Sequence, residues 1–248
     1  MEILPYINKI LAETPEVKID TIRASFFKNA IAQKHFSKLD ILKSIAKNHG
    51  LKWRKMQDKK EIKIVSRYEF RGLKIINIYE LEDMSIFYAT TKSLNNCDKK
   101  AVIEFYGLRQ YHKPAPPLDL ITELLSAVNN VSNIDLCFDS QKPFNLEAFE
   151  IQTYQNTHYI KNELGVLERV YFYDKALKNN LNLPLYRVEA TTPIIDFNKP
   201  APLSKFDRLD LQLRRAVNDF KEIITLATLE KPTNASYKAN NNKRELRA

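Results

Sequence analysis

Four runs of alternating residues between positions 51 and 107 constrain the fold of this chain most strongly. β-branched or aromatic residues alternate with charged ones in KKEIKIVSRYEF, GLKIINIYELE, SIFYATTKS and KKAVIEFYG. This pattern is typical of half-buried antiparallel strands joined by short loops. Further β-rich runs follow at SNIDLCFDS, 168–174 and 185–192, so the two β-rich halves could be related. The sequence therefore predicts antiparallel β-structure in both halves of the chain.

Residues 1–50 are predicted to be helical, because apolar side chains recur there at helical spacing. Three stripes carry the pattern: Ile3, Ile7, Ile10 and Leu11; Ile22, Phe26, Phe27 and Ala30; Leu39, Leu42, Ile45 and Ala46. Ser37 can cap the third helix, and Gly50 ends it. Two interpretations of this segment stay open: a small DNA-reading unit with basic outer faces, or a helical layer packed on the sheet that follows.

Two more amphipathic helices and a polar tail complete the predicted organisation. PLDLITELLSAVNNV has one apolar side, and a long helix spans 204–230 with Ser204 and Asp207 as its capping signal. Residues 231–248 are polar and basic, and we expect a disordered arm that can attract nucleic acid. The expected divisions are a helical N-terminal segment (1–50), an α+β domain (51–230) and a basic tail (231–248).

The composition limits the classes of function. A formal net charge of +9 favours a polyanionic partner, most often nucleic acid, although a general bias toward Lys, Asn and Ile is the alternative. With only 4 glycines the chain has no Gly-rich phosphate loop, so an ATP- or NAD-using enzyme of the standard kind is not expected. We expect no membrane span or secretion signal, and with only Cys97 and Cys137 we expect a reducing cytoplasm.

Charged side chains share faces of two predicted strands. In the run at 185–191, Arg187 and Glu189 lie on one face, about 6–7 Å apart. In SNIDLCFDS, Asp135 and Asp139 share a face but lie about 13 Å apart in a regular strand. A salt-bridged sheet face is the alternative for the first pair, and a turn-initiating role is the alternative for Asp139.

Five motifs occur in a characteristic order: IEFYGLRQ, NIDLCFDS, QNTHYI, VYFYDK and LYRVEATTP. In this order, over roughly residues 60–195, the chain resembles the Rep_trans-type rolling-circle replication initiators of plasmids. It is similar, more distantly, to the nicking initiators of filamentous phages. The resemblance implies an α+β fold with a twisted antiparallel sheet and helices on one face, to which the residue patterns add the N-terminal helical segment and the long C-terminal helix. It also implies a homodimer that binds a duplex origin and single-stranded DNA, with a host helicase and polymerase as partners.

The resemblance also implies the site residues. In that family a tyrosine in an NTxYxGSR-like segment attacks DNA, and the match here is Asn156, Thr157 and Tyr159, with residues 161–163 departing from GSR. The family's YEKxxE segment matches at residues 173–175, although Lys178 stands where its last acid falls. Tyr159 is therefore the predicted nucleophile, with Tyr154 as its competitor. The phosphate-clamp candidates are Arg187 and Lys175.

The expected chemistry requires positive charge near the phenol. A phenol with a reference pKa of about 10 is a poor nucleophile at neutral pH, so a divalent cation or a base is needed. Carboxylates without histidine suit Mg²⁺ or Mn²⁺. The candidate metal ligands are Asp135, Asp139 and Glu189, with Glu104 in reserve. Because of their spacing, we expect one of the two aspartates to bind with Glu189 and the other to orient a basic residue.

The predicted function is a metal-dependent replication initiator that nicks one strand of an origin. It would form a 5′-phosphotyrosine and release a 3′-OH for rolling-circle replication. One alternative is a non-catalytic DNA-binding regulator derived from such an initiator, which the departures at 161–163 and Lys178 favour. A relaxase for plasmid transfer, with the same chemistry, is the other.

Overall fold

A computed structural model describes residues 2–27, 38–56, 75–82, 84–91, 100–108, 115–194 and 204–229. The helices in these ranges are α1 (Ile3–Leu11), α2 (Lys38–Asn48), α3 (Leu118–Val128), α4 (Lys175–Asn179) and α5 (Lys205–Thr228). The strands of the first half are β1 (Lys18–Phe27), β2 (Trp53–Lys55), β3 (Ile75–Leu81), β4 (Ile86–Thr91) and β5 (Lys100–Phe105). Those of the second half are β6 (Asn133–Ser140), β7 (Ile151–Tyr154), β8 (Thr157–Ile160), β9 (Arg169–Asp174) and β10 (Tyr186–Pro193). The predicted strand at 59–70 and the tail lie outside the described residues.

The described strands form one antiparallel sheet in the order β2-β3-β4-β5-β1-β6-β10-β9-β8-β7. Helices α1, α3 and α5 contribute to a single apolar core with one face of this sheet. Its fully buried members include Ile7, Ile103, Leu125, Val188 and Phe220. The predicted α+β class is therefore confirmed.

Four of the predicted helices are confirmed: α1, α2, α3 and α5. Ser204 accepts a hydrogen bond from the Asp207 backbone N–H at the start of α5, and α3 ends at Asn129 in the left-handed conformation. In the N-terminal segment, α1 and α2 pack into the same core as the sheet. The structure therefore favours the interpretation of these helices as a layer on the sheet.

The predicted second helix is wrong, because this segment forms β1. The register of β1 against β6 shifts by one residue between Ile19 and Thr21, which marks a β-bulge. The bulge brings Asp20 beside Arg187 on the face away from the core, while Ile22 and Ala24 lie in the core. The four-residue spacing between Ile22 and Phe26 fits the period of a strand as well as that of a helix, so the pattern predicts the wrong element here.

The sheet has an internal two-fold pattern. From the centre outward, the first half has the order β1-β5-β4-β3-β2, and the second half has the matching order β6-β10-β9-β8-β7. The halves meet where β1 pairs antiparallel with β6, with Thr21 opposite Asp135. A pseudo-two-fold axis through this pair relates each strand to its counterpart. The relation between the β-rich halves is thus visible in the topology.

Candidate functional site

The sheet face opposite the core carries a buried cluster of charged side chains. Ion pairs and charge interactions link the members of this cluster. All are at most 8% exposed except Asp139 and Arg23. The members are Asp20, Arg23, Glu104, Asp135, Asp139, Lys175, Arg187 and Glu189. Buried charges are costly unless they are paired and hydrogen-bonded. The partner of each side chain therefore indicates what the cluster can do.

Arg187 lies at the centre of this cluster and is fully buried. Its Nε and Nη2 donate to the two oxygens of Asp139 at 2.6 and 2.7 Å, and its Nη1 donates to Asp20 at 2.6 Å and approaches Glu189 at 3.5 Å. Asp139 therefore pairs with Arg187 at both of its oxygens. The predicted phosphate contact of Arg187 does not fit this arrangement, because its guanidinium is enclosed by acids and has no exposed surface.

A second arginine, Arg23 on β1, forms ion pairs with Glu104 and Asp135. Its Nε donates to Glu104 at 2.8 Å, and its terminal nitrogens donate to both oxygens of Asp135 at 3.2 and 2.9 Å. Two parallel bonds to one carboxylate give this pair a fixed geometry. Sequence reasoning missed Arg23 because its segment was assigned to a helix.

Glu189 is held by two tyrosines of the neighbouring strand. Both Tyr171 and Tyr173 donate their hydroxyls to Glu189, Tyr173 at 2.5 Å. Burial and the adjacent Glu189 carboxylate raise the pKa of both phenols well above the usual range. The two phenols therefore remain protonated donors, and both oxygens of Glu189 have partners.

The three predicted metal ligands do not converge in this structure. Asp135 accepts from Arg23, and Asp139 accepts from Arg187. Glu189 accepts from the two tyrosines. Within the described part of the chain, no group of three His, Cys, Asp or Glu side chains is arranged to hold an ion. As arranged here, the predicted ligand set does not fit a single-ion centre. Use of Mg²⁺ or Mn²⁺ by the protein stays a prediction from the resemblance.

Burial shifts the protonation of the acids in the cluster. Burial raises the pKa of Glu104 to about 7 and, with the Glu189 charge nearby, the pKa of Asp20 to about 6. Burial also raises the pKa of Asp135, although Arg23 opposes the shift. Lys175 is 2% exposed, and its burial and the charge of Arg187 lower its pKa. Such a buried ammonium, like Arg187, is poorly placed for the predicted contact with a phosphate.

Tyr159 lies on the same sheet face, on the second strand of the β7–β8 hairpin. The hairpin turns at Gln155 and Asn156, which both have positive φ, as a two-residue turn requires. Tyr159 is directly opposite Tyr171, and the two ring centroids are 5.6 Å apart. The half-buried phenol is thus two strands from Glu189. The competitor Tyr154 shares this face on the outermost strand and is 62% exposed.

Two exposed cations flank the tyrosines, and sequence reasoning did not select either. The guanidinium of Arg169 lies 5.2 Å from the ring centre of Tyr171, and the ammonium of Lys178 lies 4.3 Å from that of Tyr173. Lys178 was noted only as a departure from the family motif. Both cations are exposed, whereas Arg187 and Lys175 are buried.

Comparison with protein-family models gives no match for this chain, and comparison with curated proteins also gives none. The resemblance described above therefore rests on the motif residues alone. In the ranges that the structure describes, no helix is both long enough and apolar enough to cross a membrane.

Proposed function

We propose that the protein is a replication initiator that nicks and rejoins one DNA strand, with Tyr159 as its nucleophile. The observation that carries the proposal is the position of Tyr159 against Tyr171, which bonds Glu189, on a face where Arg169 and Lys178 are accessible. The net charge of +9 supports a nucleic-acid substrate. By resemblance, the initiator acts as a homodimer on a duplex origin and is followed by a host helicase and polymerase.

The proposed reaction exchanges one phosphodiester bond for another. The Tyr159 phenol oxygen attacks the scissile phosphorus, the bond from phosphorus to the 3′-oxygen breaks, and a 5′-phosphotyrosine forms. The phenol proton passes to solvent, and the departing oxygen takes up a proton to become a 3′-OH. Arg169 and Lys178 would neutralise part of the charge on the phosphate. Rejoining is the reverse attack by a 3′-OH on the phosphotyrosine.

A nicking assay tests this proposal. Supercoiled plasmid carrying the candidate origin is incubated with protein, with and without Mn²⁺ or Mg²⁺, and open circles and covalently bound protein are measured. Tyr159→Phe is expected to abolish both products, and Tyr154→Phe, from the same hairpin and face, is the matched control that should retain them. Normal nicking by Tyr159→Phe would rule out this nucleophile.

A second candidate function is a DNA-binding regulator without catalysis. It is favoured by the internal pairing of the carboxylates, because Asp135, Asp139 and Glu189 all have protein donors as partners. It predicts salt-sensitive DNA binding without cleavage. The nicking assay separates the two candidates: open circles with covalently bound protein support the enzyme, and DNA binding that never yields a cut strand supports the regulator.

A further inference from the structure

Glu189, Tyr171 and Tyr159 occupy one straight row across β10, β9 and β8. Glu189 pairs with Tyr171, and Tyr171 pairs with Tyr159, so the three side chains share a face at successive positions. Neighbouring positions in such a row are about 5 Å apart, which places side chains in contact. Anything that fixes the first member of the row therefore restricts the next.

The Tyr171 ring is held at both its end and its face. Its hydroxyl donates to Glu189, which is itself fixed by Tyr173 and lies 3.5 Å from Arg187. The guanidinium of Arg169 lies over the ring. The ring is thus a fixed surface next to Tyr159.

The phenol of Tyr159 depends on that surface for its position. Its ring packs against Tyr171 with an angle of 34° between the planes. Its hydroxyl has no hydrogen-bond partner among the described residues. Packing against the Tyr171 ring therefore helps to orient this phenol.

The other half of the sheet provides an internal comparison. The pseudo-two-fold axis relates the row Gln152, Tyr159, Tyr171, Glu189 and Cys137 to the row Arg54, Glu80, Phe87, Glu104 and Arg23. Phe87 stands in place of Tyr171, and Glu104 is bound by Arg23 instead of a phenol. The fold thus accepts a phenylalanine at this position, and the link from carboxylate to phenol belongs to the half that contains Tyr159.

We propose that Tyr171 is a positioning residue, anchored by Glu189, that orients the Tyr159 phenol for attack on the phosphodiester. This inference rests on the proposed function. It assigns Glu189 a role through the Tyr171 hydroxyl rather than through a metal ion. Because a misplacement of about 1 Å can cost about a hundredfold in rate, loss of the anchor is expected to reduce the reaction rate and not the binding of DNA.

The test uses Tyr171→Phe, which copies the other half of the sheet, and Tyr79→Phe as the matched control. Tyr79 is also a half-buried tyrosine stacked on another tyrosine, Tyr88, but it lies in the other half of the sheet, outside the row. Single-turnover formation of the covalent adduct is measured with an oligonucleotide that the wild type cleaves. Tyr171→Phe is expected to lower the saturating rate about tenfold or more, with little change in the half-saturating concentration. Tyr79→Phe should retain the rate.

Equal rates for Tyr171→Phe and the wild type, or equal losses in both variants, would overturn the positioning role. If Tyr171→Phe does not fold, Glu189→Gln and Glu189→Ala replace it, because glutamine keeps an acceptor oxygen for Tyr171. A higher rate for the glutamine variant supports the proposal, and equal loss overturns it. If the wild type forms no adduct with any strand, the proposed function itself fails and this inference falls with it.

Discussion

Arg187 is enclosed by acids on the sheet face, and its guanidinium bonds Asp139 and Asp20. Arg187→Ala would leave these carboxylates buried and without their main partner. Loss of one member of a buried ion pair typically costs about 3–5 kcal/mol, so the urea midpoint should fall sharply. Arg214→Ala is the control, since Arg214 pairs with Glu13 and Asp210 on the exposed surface and its loss should hardly change the midpoint. Equal effects of the two substitutions would contradict a structural role for the cluster.

The contribution of the cluster to the stability of the fold depends on pH through Glu104. Burial raises its pKa from 4.5 to about 7 in the folded protein, so the folded state binds the proton more tightly than the unfolded state. Its contribution to stability is then present at low pH and is lost as the pH rises from about 4.5 to 7.

Glu104→Gln removes this titration, so the variant should gain stability relative to the wild type as the pH rises through that range. Urea unfolding of both proteins between pH 4.5 and 8 measures the difference. A difference that is constant with pH, or that changes in the opposite direction, would contradict the raised pKa. Asp20, whose pKa is also raised, remains in both proteins and so does not enter the comparison to first order.

At the scale of elements, the connection between β8 and β9 is attached to α5 through Asp219. The Asp219 carboxylate accepts the Val166 backbone N–H at 2.8 Å, and Gly165 beside it has a φ of +60°. A Cβ at Gly165 would lie 2.3 Å from the Asp219 oxygen. The connection therefore requires glycine for both its backbone conformation and its close approach to the helix.

Gly165→Ala should lower the thermal midpoint by more than Gly50→Ala, the matched control. Gly50 also has positive φ, at +73°, but its added Cβ meets nothing within 4 Å. In the control, the free energy of unfolding should therefore fall only by the cost of placing alanine in the left-handed conformation, about 1 kcal/mol. Similar midpoints for the two variants would show that the contact with Asp219 is easily relieved.

The elements that sequence reasoning found are those with an uninterrupted period. α3 and α5 have continuous apolar stripes and recognisable ends, and β9 and β10 alternate regularly. β1 was missed because the four-residue spacing between Ile22 and Phe26 fits both a helix and a strand. Since β1 is a central strand, this one error also concealed Asp20 and Arg23.

At the scale of the whole molecule, strand order determines the partners of each charged side chain. Period-two alternation predicts that Arg187 and Glu189 share a face, and the structure confirms this. It contains no information on which strands are adjacent, so the pairing of Asp135 with Arg23 across β1 and β6 was not predictable. The same holds for the two tyrosine hydroxyls on Glu189, because sequence position does not specify the register of β9 against β10.

The two-fold pattern of the sheet offers an explanation for where the proposed reaction occurs. The related halves differ at the position of Tyr159, which corresponds to Glu80, and at that of Tyr171, which corresponds to Phe87. Glu80 is bound by Arg54 at 2.6 Å and has no phenol to contribute. One half thus has the features of a site, while the other stabilises the sheet with ion pairs.

The central claim is that Tyr159 forms a covalent bond to DNA. The most direct measurement is digestion of the protein after reaction with cleavable single-stranded DNA, followed by mass spectrometry of the nucleotide-modified peptide. If Tyr159 is the nucleophile, one modified peptide is expected, with the phosphotyrosine linkage at Tyr159. A linkage at Tyr154, or unmodified tyrosines after the DNA has been cut, would contradict it.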